Sequence, residues 1–420
     1  TLFPYTTLFR SIADALVGAP YLDWNGTADA GGAYVVFGAA PPVGATVDLG
    51  GLLGGGTGNL IQALDAGDRL GSAVSPLGDV DGDGFDDILV GAPLADPGGR
   101  AEAGETHVVF GSASSFLLDT PTIDGTNGYT LAGIDPGDRS GTAVGTVSDL
   151  NGNGLDEIVI GADGGGVGLG VTGGQGDSPG EAYLVFTDQL AALDLANAQP
   201  AGTTDGRIDL GDLDGTTGYV FEGTGQLANA GLSVSDAGDI DNDGTPDLII
   251  GAPFAGPSGS TGAGRSYVVF GDRLADLDAV NGTDGVIELA ILETATGQAD
   301  HGFAINGIDG LAGSYSADQA GYAVSGPGDV TGDGIDDLLV GARFAESGGQ
   351  IQSGETYVIA GRDSTNQPPG LQCSLAINGI GQDDRSGWSV SAAGDVNGDG
   401  LGDVIIGAPL ADSTGAGAPL

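Results

Sequence analysis

A short apolar run that ends in Gly-Ala-Pro, or in a close variant of it, occurs six times in this 420-residue chain. The glycines of these runs are Gly18, Gly91, Gly161, Gly251, Gly341 and Gly407, so successive intervals are 73, 70, 90, 90 and 66 residues. Solenoid repeats of about 20–40 residues are too short to match this period. An interval of about 65 residues holds four short strands and their turns, which is one blade of a β-propeller.

Each interval divides into four short apolar segments bounded by Gly, Asp, Asn or Pro, a pattern typical of strands. The densest segment, such as 248–250, is apolar on both faces and fits a strand packed between neighbouring blades. We therefore expect an all-β fold, a propeller of four-stranded blades that is present as a truncated fragment. The expected boundaries are a partial blade at 12–64, blades at 67–134, 137–224, 229–308 and 318–380, and a partial blade at 383–420.

A nine-residue acidic loop separates the first and second strands, and in its fullest form it reads Asp-Val-Asp-Gly-Asp-Gly-Phe-Asp-Asp over residues 79–87. Oxygens at positions 1, 3 and 5 of such a tight loop turn towards one point. Position 7 adds its backbone carbonyl and position 9 adds another carboxylate. Six or seven hard oxygens favour Ca²⁺ over Mg²⁺ or Zn²⁺, and the glycine at position 6 permits the bend.

The chain holds five copies of this loop, and the candidate calcium ligands are positions 1, 3, 5, 7 and 9 of each copy. They are Asp79, Asp81, Asp83, Phe85 and Asp87; Asp149, Asn151, Asn153, Leu155 and Glu157; Asp239, Asp241, Asp243, Thr245 and Asp247; Asp329, Thr331, Asp333, Ile335 and Asp337; and Asp395, Asn397, Asp399, Leu401 and Asp403. Four copies carry three or four carboxylates that would repel one another without a cation, so we predict four strong sites and one weak site. A solvated turn without an ion is the alternative, and it is strongest for the copy at Asp149.

The loop differs from an EF-hand, which requires a glutamate at position 12 and helices on both sides. Position 12 here is β-branched in every copy: Val90, Ile160, Ile250, Val340 and Ile406. We expect a calcium loop inside a β-hairpin.

These features resemble the FG-GAP repeat of integrin α-subunit propellers and their bacterial relatives. Phe-Gly occurs at 37–38, 110–111 and 270–271, and Gly-Ala-Pro at 18–20, 91–93, 251–253 and 407–409. The resemblance implies a seven-bladed propeller with calcium loops on its lower face and partners on its upper face. This chain departs from the pattern at Asp163 and Arg343, which replace the proline, and in long lower-face insertions near 187–216 and 272–300.

The charge of the chain excludes several partners. With 58 acidic and ten basic residues, the formal net charge is −48, so the basic face needed for nucleic acid or anionic lipid is missing. No apolar run reaches the roughly 20 residues that cross a bilayer, and membrane insertion is not expected. The single Cys373 allows no intrachain disulfide, so packing or metals must hold the fold.

Two aromatic residues in a predicted upper-face loop, Tyr21 and Trp24, are candidates for binding a sugar or a peptide. Packing beneath the loop is the alternative. Catalysis has little support, because His107 occupies a position that is tyrosine in other repeats and His301 has no nearby nucleophile candidate. The many carboxylates are explained by calcium loops rather than by an acid–base pair.

The expected function is non-catalytic binding or adhesion to an unknown protein or glycan, outside the cell, where millimolar calcium fills weak sites. Alternatives are an accessory propeller of a larger secreted enzyme, such as a phospholipase or glycan hydrolase, and a structural surface-layer repeat. Residues 1–11 lack the acidic and glycine residues expected before the first Gly-Ala-Pro, and we expect them to be a non-native, adapter-like segment. A propeller closes by pairing its two ends, so exposed strand edges are expected.

Overall fold

The computed structural model of the chain describes residues 14–38, 49–52, 57–112, 114–164, 179–197, 204–225, 228–256, 262–293, 301–307, 317–362 and 373–412. The segment 1–11 lies outside these residues. The strands are β1 (Ala15–Ala19), β2 (Gly32–Val36), β3 (Gly58–Gln62), β4 (Ala73–Pro76), β5 (Ile88–Ala92), β6 (Glu105–Val109), β7 (Leu117–Asp119), β8 (Gly128–Ala132), β9 (Ala143–Val147), β10 (Glu157–Ala162), β11 (Glu181–Val185), β12 (Arg207–Asp209), β13 (Gly218–Glu222), β14 (Ser233–Gly238), β15 (Asp247–Ala252), β16 (Arg265–Val269), β17 (Val286–Glu288), β18 (Gly302–Asn306), β19 (Ala320–Gly328), β20 (Asp337–Ala342), β21 (Glu355–Ile359), β22 (Cys373–Asn378), β23 (Ser389–Gly394) and β24 (Asp403–Gly407). The α-helices are α1 (Leu190–Asn197) and α2 (Leu274–Asn281). Short 3-10 helices occupy Leu49–Gly51, Pro97–Gly99, Thr120–Thr122, Thr187–Gln189, Leu210–Asp212, Gly271–Arg273 and Leu289–Glu293.

The strands form six sheets, numbered here along the chain. Sheet 1 has the order β1-β2-β3-β7, sheet 2 β4-β5-β6-β8-β12, sheet 3 β9-β10-β11-β13-β17, sheet 4 β14-β15-β16-β18, sheet 5 β19-β20-β21-β22, and sheet 6 β23-β24. Apart from β7, β12 and β17, all pairings are antiparallel between strands that follow one another in the repeat. The predicted all-β class with four-stranded repeating units is confirmed.

The sheets are arranged as the blades of a propeller. The first strands of sheets 2 to 6 contact one another in succession, as inner strands do around a propeller axis. The apolar cores lie between successive sheets, with one cluster shared by sheets 3 and 4 and another by sheets 4 and 5.

Strand β15 shows why the second segment of each repeat is apolar throughout. All six of its residues are buried. Leu248 and Ile250 pack into the cluster shared with sheet 3, whereas Ile249 packs into the cluster shared with sheet 5. Alternate side chains of a strand point to opposite faces, so a strand between two neighbouring sheets must be apolar on both. Burial of each such side chain contributes about 1.5–3 kcal/mol to the free energy of unfolding.

The glycine of Gly-Ala-Pro is explained by close contact between sheets. A Cβ at Gly91 would lie 2.1 Å from the carbonyl oxygen of Gly141, at the start of sheet 3. The same clash, at 2.1 Å, would occur between Gly251 and Gly321. Only glycine lets the two backbones approach this closely.

Short additional strands, which sequence analysis did not predict, cover the outer strands of three sheets. β7, β12 and β17 each run parallel to the fourth strand of the preceding sheet. Each comes from the connection between the third and fourth strands of its own repeat. In the two long insertions this connection also contains α1 or α2, whose leucines at 190, 193, 274 and 277 are buried.

Candidate metal-binding loops

The five acidic loops connect the first and second strands of sheets 2 to 6 and lie side by side. The Asp239 N–H donates to Asp336 Oδ2 in the loop of sheet 5 at 2.9 Å. The Gly402 N–H of sheet 6 donates to the Asp329 carbonyl at 2.8 Å. The acidic loops of sheets 4, 5 and 6 are therefore joined to one another at one end of the propeller.

Four of the five loops are held in their bend by the carboxylate at position 1. Asp79 at position 1 accepts backbone N–H groups from Gly82, Asp83 and Gly84 at 2.8–3.0 Å. Asp83 at position 5 accepts the N–H of Phe85 at position 7. These bonds fix the tight bend of the loop.

Carboxylates gather most closely in two of the loops. Oxygens of Asp79, Asp81 and Asp87 lie within 4.8 Å of one another, as do those of Asp239, Asp241 and Asp247. Among the described residues, no other group of three His, Cys, Asp or Glu side chains is this close. The structure therefore brings positions 1, 3 and 9 together in the first and third loops, and it leaves position 5 outside the group.

The carboxylate at position 9 joins the loop to the third strand. Asp247 Oδ2 accepts the N–H of Ile240, and its Oδ1 accepts the N–H of Gly271, the glycine of Phe-Gly, both at 3.0 Å. We call this pair of bonds the position-9 clasp. It recurs with Asp87 and Gly111 and with Asp337 and Gly361, at 2.8 and 3.1 Å to the glycine. In sheet 1, Asp14 accepts the N–H of Gly38 at 2.6 Å.

The clasp explains why a glycine follows the aromatic residue. A Cβ at Gly271 would lie 2.1 Å from the carbonyl oxygen of Pro246, at position 8 of the loop. The sequence did contain a signal for the clasp, since position 9 and the glycine are 24 residues apart in all four repeats. From the sequence alone, we interpret this glycine only as part of the Phe-Gly pattern.

Sheet 3 lacks half of the clasp. Glu157 Oε2 accepts the N–H of Leu150 at 2.8 Å, but Thr187 stands where other repeats have glycine. Glu157 is completely buried, and its Oε1 has no hydrogen-bond partner; neither has Asp149 Oδ1 in the same loop. Two buried acceptor oxygens without donors in one loop are a suitable environment for a cation.

Burial makes the ionised form of these carboxylates costly. Burial, followed by the neighbouring carboxylates, raises the pKa of Asp247 to about 9 against the opposing effect of its two backbone hydrogen bonds. Burial likewise raises the pKa of Asp87 and of Asp241 to about 6 and that of Glu157 to about 7. A bound cation would offset this cost and favour the ionised form.

The loops of sheets 5 and 6 show the same internal bonds with fewer converging charges. Asp329 and Asp395 at position 1 accept the N–H groups of positions 4, 5 and 6. The Thr331 hydroxyl reaches Asp337 at 3.5 Å, and the Asn397 amide reaches Asp403 at 3.3 Å. Neutral side chains thus occupy position 3 in both loops, and each donates to the carboxylate at position 9.

The candidate ligand-binding aromatic residues differ in exposure. Tyr21 is 64% exposed, and the Arg69 guanidinium lies 5.1 Å from its ring centre. Trp24 is half-buried and packs against a cluster formed by Tyr34, Leu52 and Leu60. Tyr21 is therefore accessible to a ligand, whereas Trp24 mainly supports its loop.

The remaining residues singled out in the sequence lie outside the loops. His107 is buried, and its Nδ1 is 3.0 Å from Thr130 Oγ1; burial lowers its pKa. Arg343, which replaces the proline, donates to Gln319 Oε1 at 2.8 Å. Its guanidinium lies 3.5 Å from the ring centre of Tyr322 and 4.5 Å from that of Trp388, which accounts for the departure at this position.

Comparison with known proteins agrees with this arrangement. The FG-GAP repeat family matches residues 70–109, 232–269 and 386–418. Integrin alpha pat-2 of Caenorhabditis elegans is 28% identical over 261 residues, which are 62% of this chain and 17% of that protein. Integrin alpha-IIb of Mus musculus is 32% identical over 179 residues, 41% of this chain and 14% of that protein.

A second kind of relative is the phosphatidylinositol-glycan-specific phospholipase D of Rattus norvegicus, 32% identical over 190 residues, 43% of this chain and 19% of that protein. The chain thus spans less than a fifth of the length of these relatives. Within the described residues there is no helix with the length and apolar character needed to span a bilayer. The chain thus carries FG-GAP repeats in three places, and over part of its length it is similar to integrin alpha subunits.

Proposed function

We propose that the chain is a calcium-binding, non-catalytic module that binds a protein or glycan outside the cell. The observation that carries this proposal is the convergence of three carboxylates within 4.8 Å in the loops of sheets 2 and 4. Hard oxygen ligands at this density suit Ca²⁺. Positions 1, 3, 5, 7 and 9 of each loop are the proposed ligands, with strong sites in sheets 2, 4, 5 and 6 and a weak site in sheet 3.

Calcium would act on the fold rather than in a reaction. Its proposed ligands at position 9 already connect the acidic loop to the third strand through the clasp. An ion at each loop would offset the repulsion among carboxylates in a chain of net charge −48. The opposite face of the propeller would then be held rigid for a ligand.

Adhesion is the proposed role because integrin alpha subunits are among the relatives. In the described residues the loop at Tyr21 offers an exposed aromatic ring beside a cation, and aromatic side chains are enriched where proteins bind partners. The proposed setting is the cell surface or the medium, where calcium is plentiful.

The alternative is that the propeller is an accessory part of a larger enzyme. Its support is the similarity to the phosphatidylinositol-glycan-specific phospholipase D of rat. In that case the ligand surface would serve to position a catalytic domain or its substrate.

A binding screen tests the proposal. The purified chain is applied to glycan and extracellular-protein arrays in millimolar calcium and again in excess EDTA. The variant Tyr21→Ala is applied in the same way. We expect a hit that EDTA abolishes and that Tyr21→Ala weakens about tenfold, the loss of one good contact. Hits that are indifferent to calcium would contradict the proposal.

A further inference from the structure

The outer strand of a propeller blade presents unpaired backbone groups, and in sheets 1 to 3 these groups are covered in one consistent way. The third residue of each outer strand donates its N–H outward to the residue just before the covering strand. These bonds run from Leu60 to Phe116 (3.1 Å), from Thr130 to Gly206 (2.7 Å) and from Val220 to Gly285 (2.8 Å). The covering strands β7, β12 and β17 then pair in parallel over three residues.

The covering segments share a short sequence pattern. Each has a branched apolar residue followed by an acid: Leu118-Asp119, Ile208-Asp209 and Ile287-Glu288. The apolar residue is buried in all three. Two of the acids have partners near the outer strand, since Asp119 Oδ1 accepts from Gln62 Nε2 at 2.5 Å and Asp209 pairs with Arg100 at 2.6 Å. Backbone pairing and one buried apolar residue are thus common to all three covering strands, and a carboxylate adds a polar contact in two of them.

The outer strand of sheet 4, β18, is different. No described residue pairs with its outer edge. By register, Ala304 takes the place of Thr130 and Val220 as the outward donor. The residues of β8 are all buried, whereas Phe303, Ala304 and Ile305 of β18 are half-buried and Asn306 is exposed.

The chemistry of this edge matches that of the covered ones. Asn306 stands where sheet 1 has Gln62, and its Oδ1 accepts from Arg265 Nε at 2.7 Å. Its amide nitrogen thus offers the same kind of donor that Gln62 uses for Asp119. The connection in the following repeat, residues 360–372, contains no apolar residue followed by an acid. At its described start, the Arg362 N–H donates to Ile240 O in the acidic loop of sheet 4 at 2.8 Å.

We propose that the outer edge of β18 is a docking site for an extended peptide segment of a partner protein. The segment would add a parallel strand in which a branched apolar residue is followed by Asp or Glu. The three covering strands of this chain are the structural precedent for that occupant, and strand addition at an open edge is an established mode of peptide recognition. The site is separate from the acidic loops and from Tyr21.

The probe is a capped, fluorescein-labelled peptide with the sequence of residues 284–290, Asp-Gly-Val-Ile-Glu-Leu-Ala. It is titrated with the full chain in calcium and 0.15 M salt, and binding is followed by fluorescence anisotropy. We expect saturable binding. Ala304→Pro removes the outward N–H and should weaken binding about tenfold, whereas Ala304→Val keeps the N–H and should bind as the parent does. Hydrogen exchange at the Ala304 amide should slow when the peptide is present.

Several results would overturn the proposal. They are absence of binding, equal binding by Ala304→Pro and Ala304→Val, or unchanged exchange at Ala304. If Ala304→Pro fails to fold, the test uses a second peptide, in which proline replaces the isoleucine. Equal binding of this peptide and the original would contradict strand addition. A concentration-dependent dimer that the peptide does not dissociate would assign the edge to a second copy of the chain instead.

Discussion

Sheets 3 and 4 have the same order of their first four strands, yet they differ in their acidic loops and at the start of their third strands. Both belong to 90-residue intervals and both carry a helical insertion. The acidic loop of sheet 4 has four carboxylates at the ligand positions and a complete position-9 clasp. That of sheet 3 has two acids at the ligand positions and two buried oxygens without partners. The four-stranded arrangement is therefore the same in both sheets, whereas the acidic loop differs.

The same two sheets differ at the start of their third strands. Sheet 4 has Arg265, which pairs with Glu293 and donates to Asn306. Sheet 3 has Glu181 at this position, buried beside Tyr183. One sheet thus neutralises its buried charge with a partner, and the other keeps a buried acid.

Removal of calcium is expected to change stability more than any single substitution does, and to change the loop of sheet 4 more than that of sheet 3. If four strong loops are saturated at 100 times Kd, binding contributes about 2.7 kcal/mol per independent site, or about 11 kcal/mol in total. EDTA should therefore lower the melting temperature strongly, and Mg²⁺ should restore little. Hydrogen exchange should accelerate more at Asp243 and Gly244 than at Asn153 and Gly154. Identical melting curves in EDTA and calcium would refute calcium-dependent folding.

Removing ligands from single loops separates the two sheets. Asp243→Ala with Asp247→Ala should release about one bound ion and leave three backbone N–H groups without their acceptors, two of them buried. The combined cost is expected to be about 4 kcal/mol. Asn153→Ala with Glu157→Ala in sheet 3 should cost less than half of that. Ion content by mass spectrometry after dialysis and urea unfolding measure both effects. Equal ion loss from the two double variants would show that the loops are equivalent.

A smaller effect is expected at the glycine of the clasp. Gly271→Ala places a Cβ 2.1 Å from the Pro246 carbonyl oxygen, so the loop must shift, and we expect a loss of about 2–3 kcal/mol. The matched variant in sheet 3 is Thr187→Gly, which loses only the bond from Thr187 Oγ1 to the Asp156 carbonyl, about 1 kcal/mol. Urea unfolding in saturating calcium compares them. A tolerated Gly271→Ala would mean that the clasp is not rigid.

Much of this arrangement could be predicted from the sequence, because the signals are local. The spacing of Gly-Ala-Pro indicates the repeat, and alternation of acid and glycine over nine residues indicates the loops. The clasp was missed although its 24-residue interval is constant. The covering strands were missed because three residues such as Arg207–Asp209 have no strand signal without the edge that they pair with. The surroundings of Arg343 could not be predicted from sequence spacing, because the aromatic rings around it come from separate strands or loops.

The last and smallest expected effect concerns Glu181 and the pH. Burial first, and then the carboxylate of Asp138, raises the pKa of Glu181 to about 8, against about 4.5 in an unfolded chain. Between these values the folded state binds the proton more tightly than the unfolded state, so this residue makes stability fall as pH rises from about 4.5 to 8. Glu181→Gln keeps an acceptor for the Tyr183 hydroxyl, which donates to Glu181 Oε2 at 2.8 Å. In saturating calcium the variant should melt close to the parent at pH 5 and several degrees higher at pH 8.5.

The matched control is Glu105→Gln, because Glu105 begins the third strand of sheet 2 and pairs with Arg207 at 2.6 Å. Its loss should bring no gain in melting temperature at high pH. A parallel pH profile for Glu181→Gln and the parent would show that the buried acid of sheet 3 is as well compensated as the arginine of sheet 4. The contrast between the two sheets would then lie in their acidic loops alone.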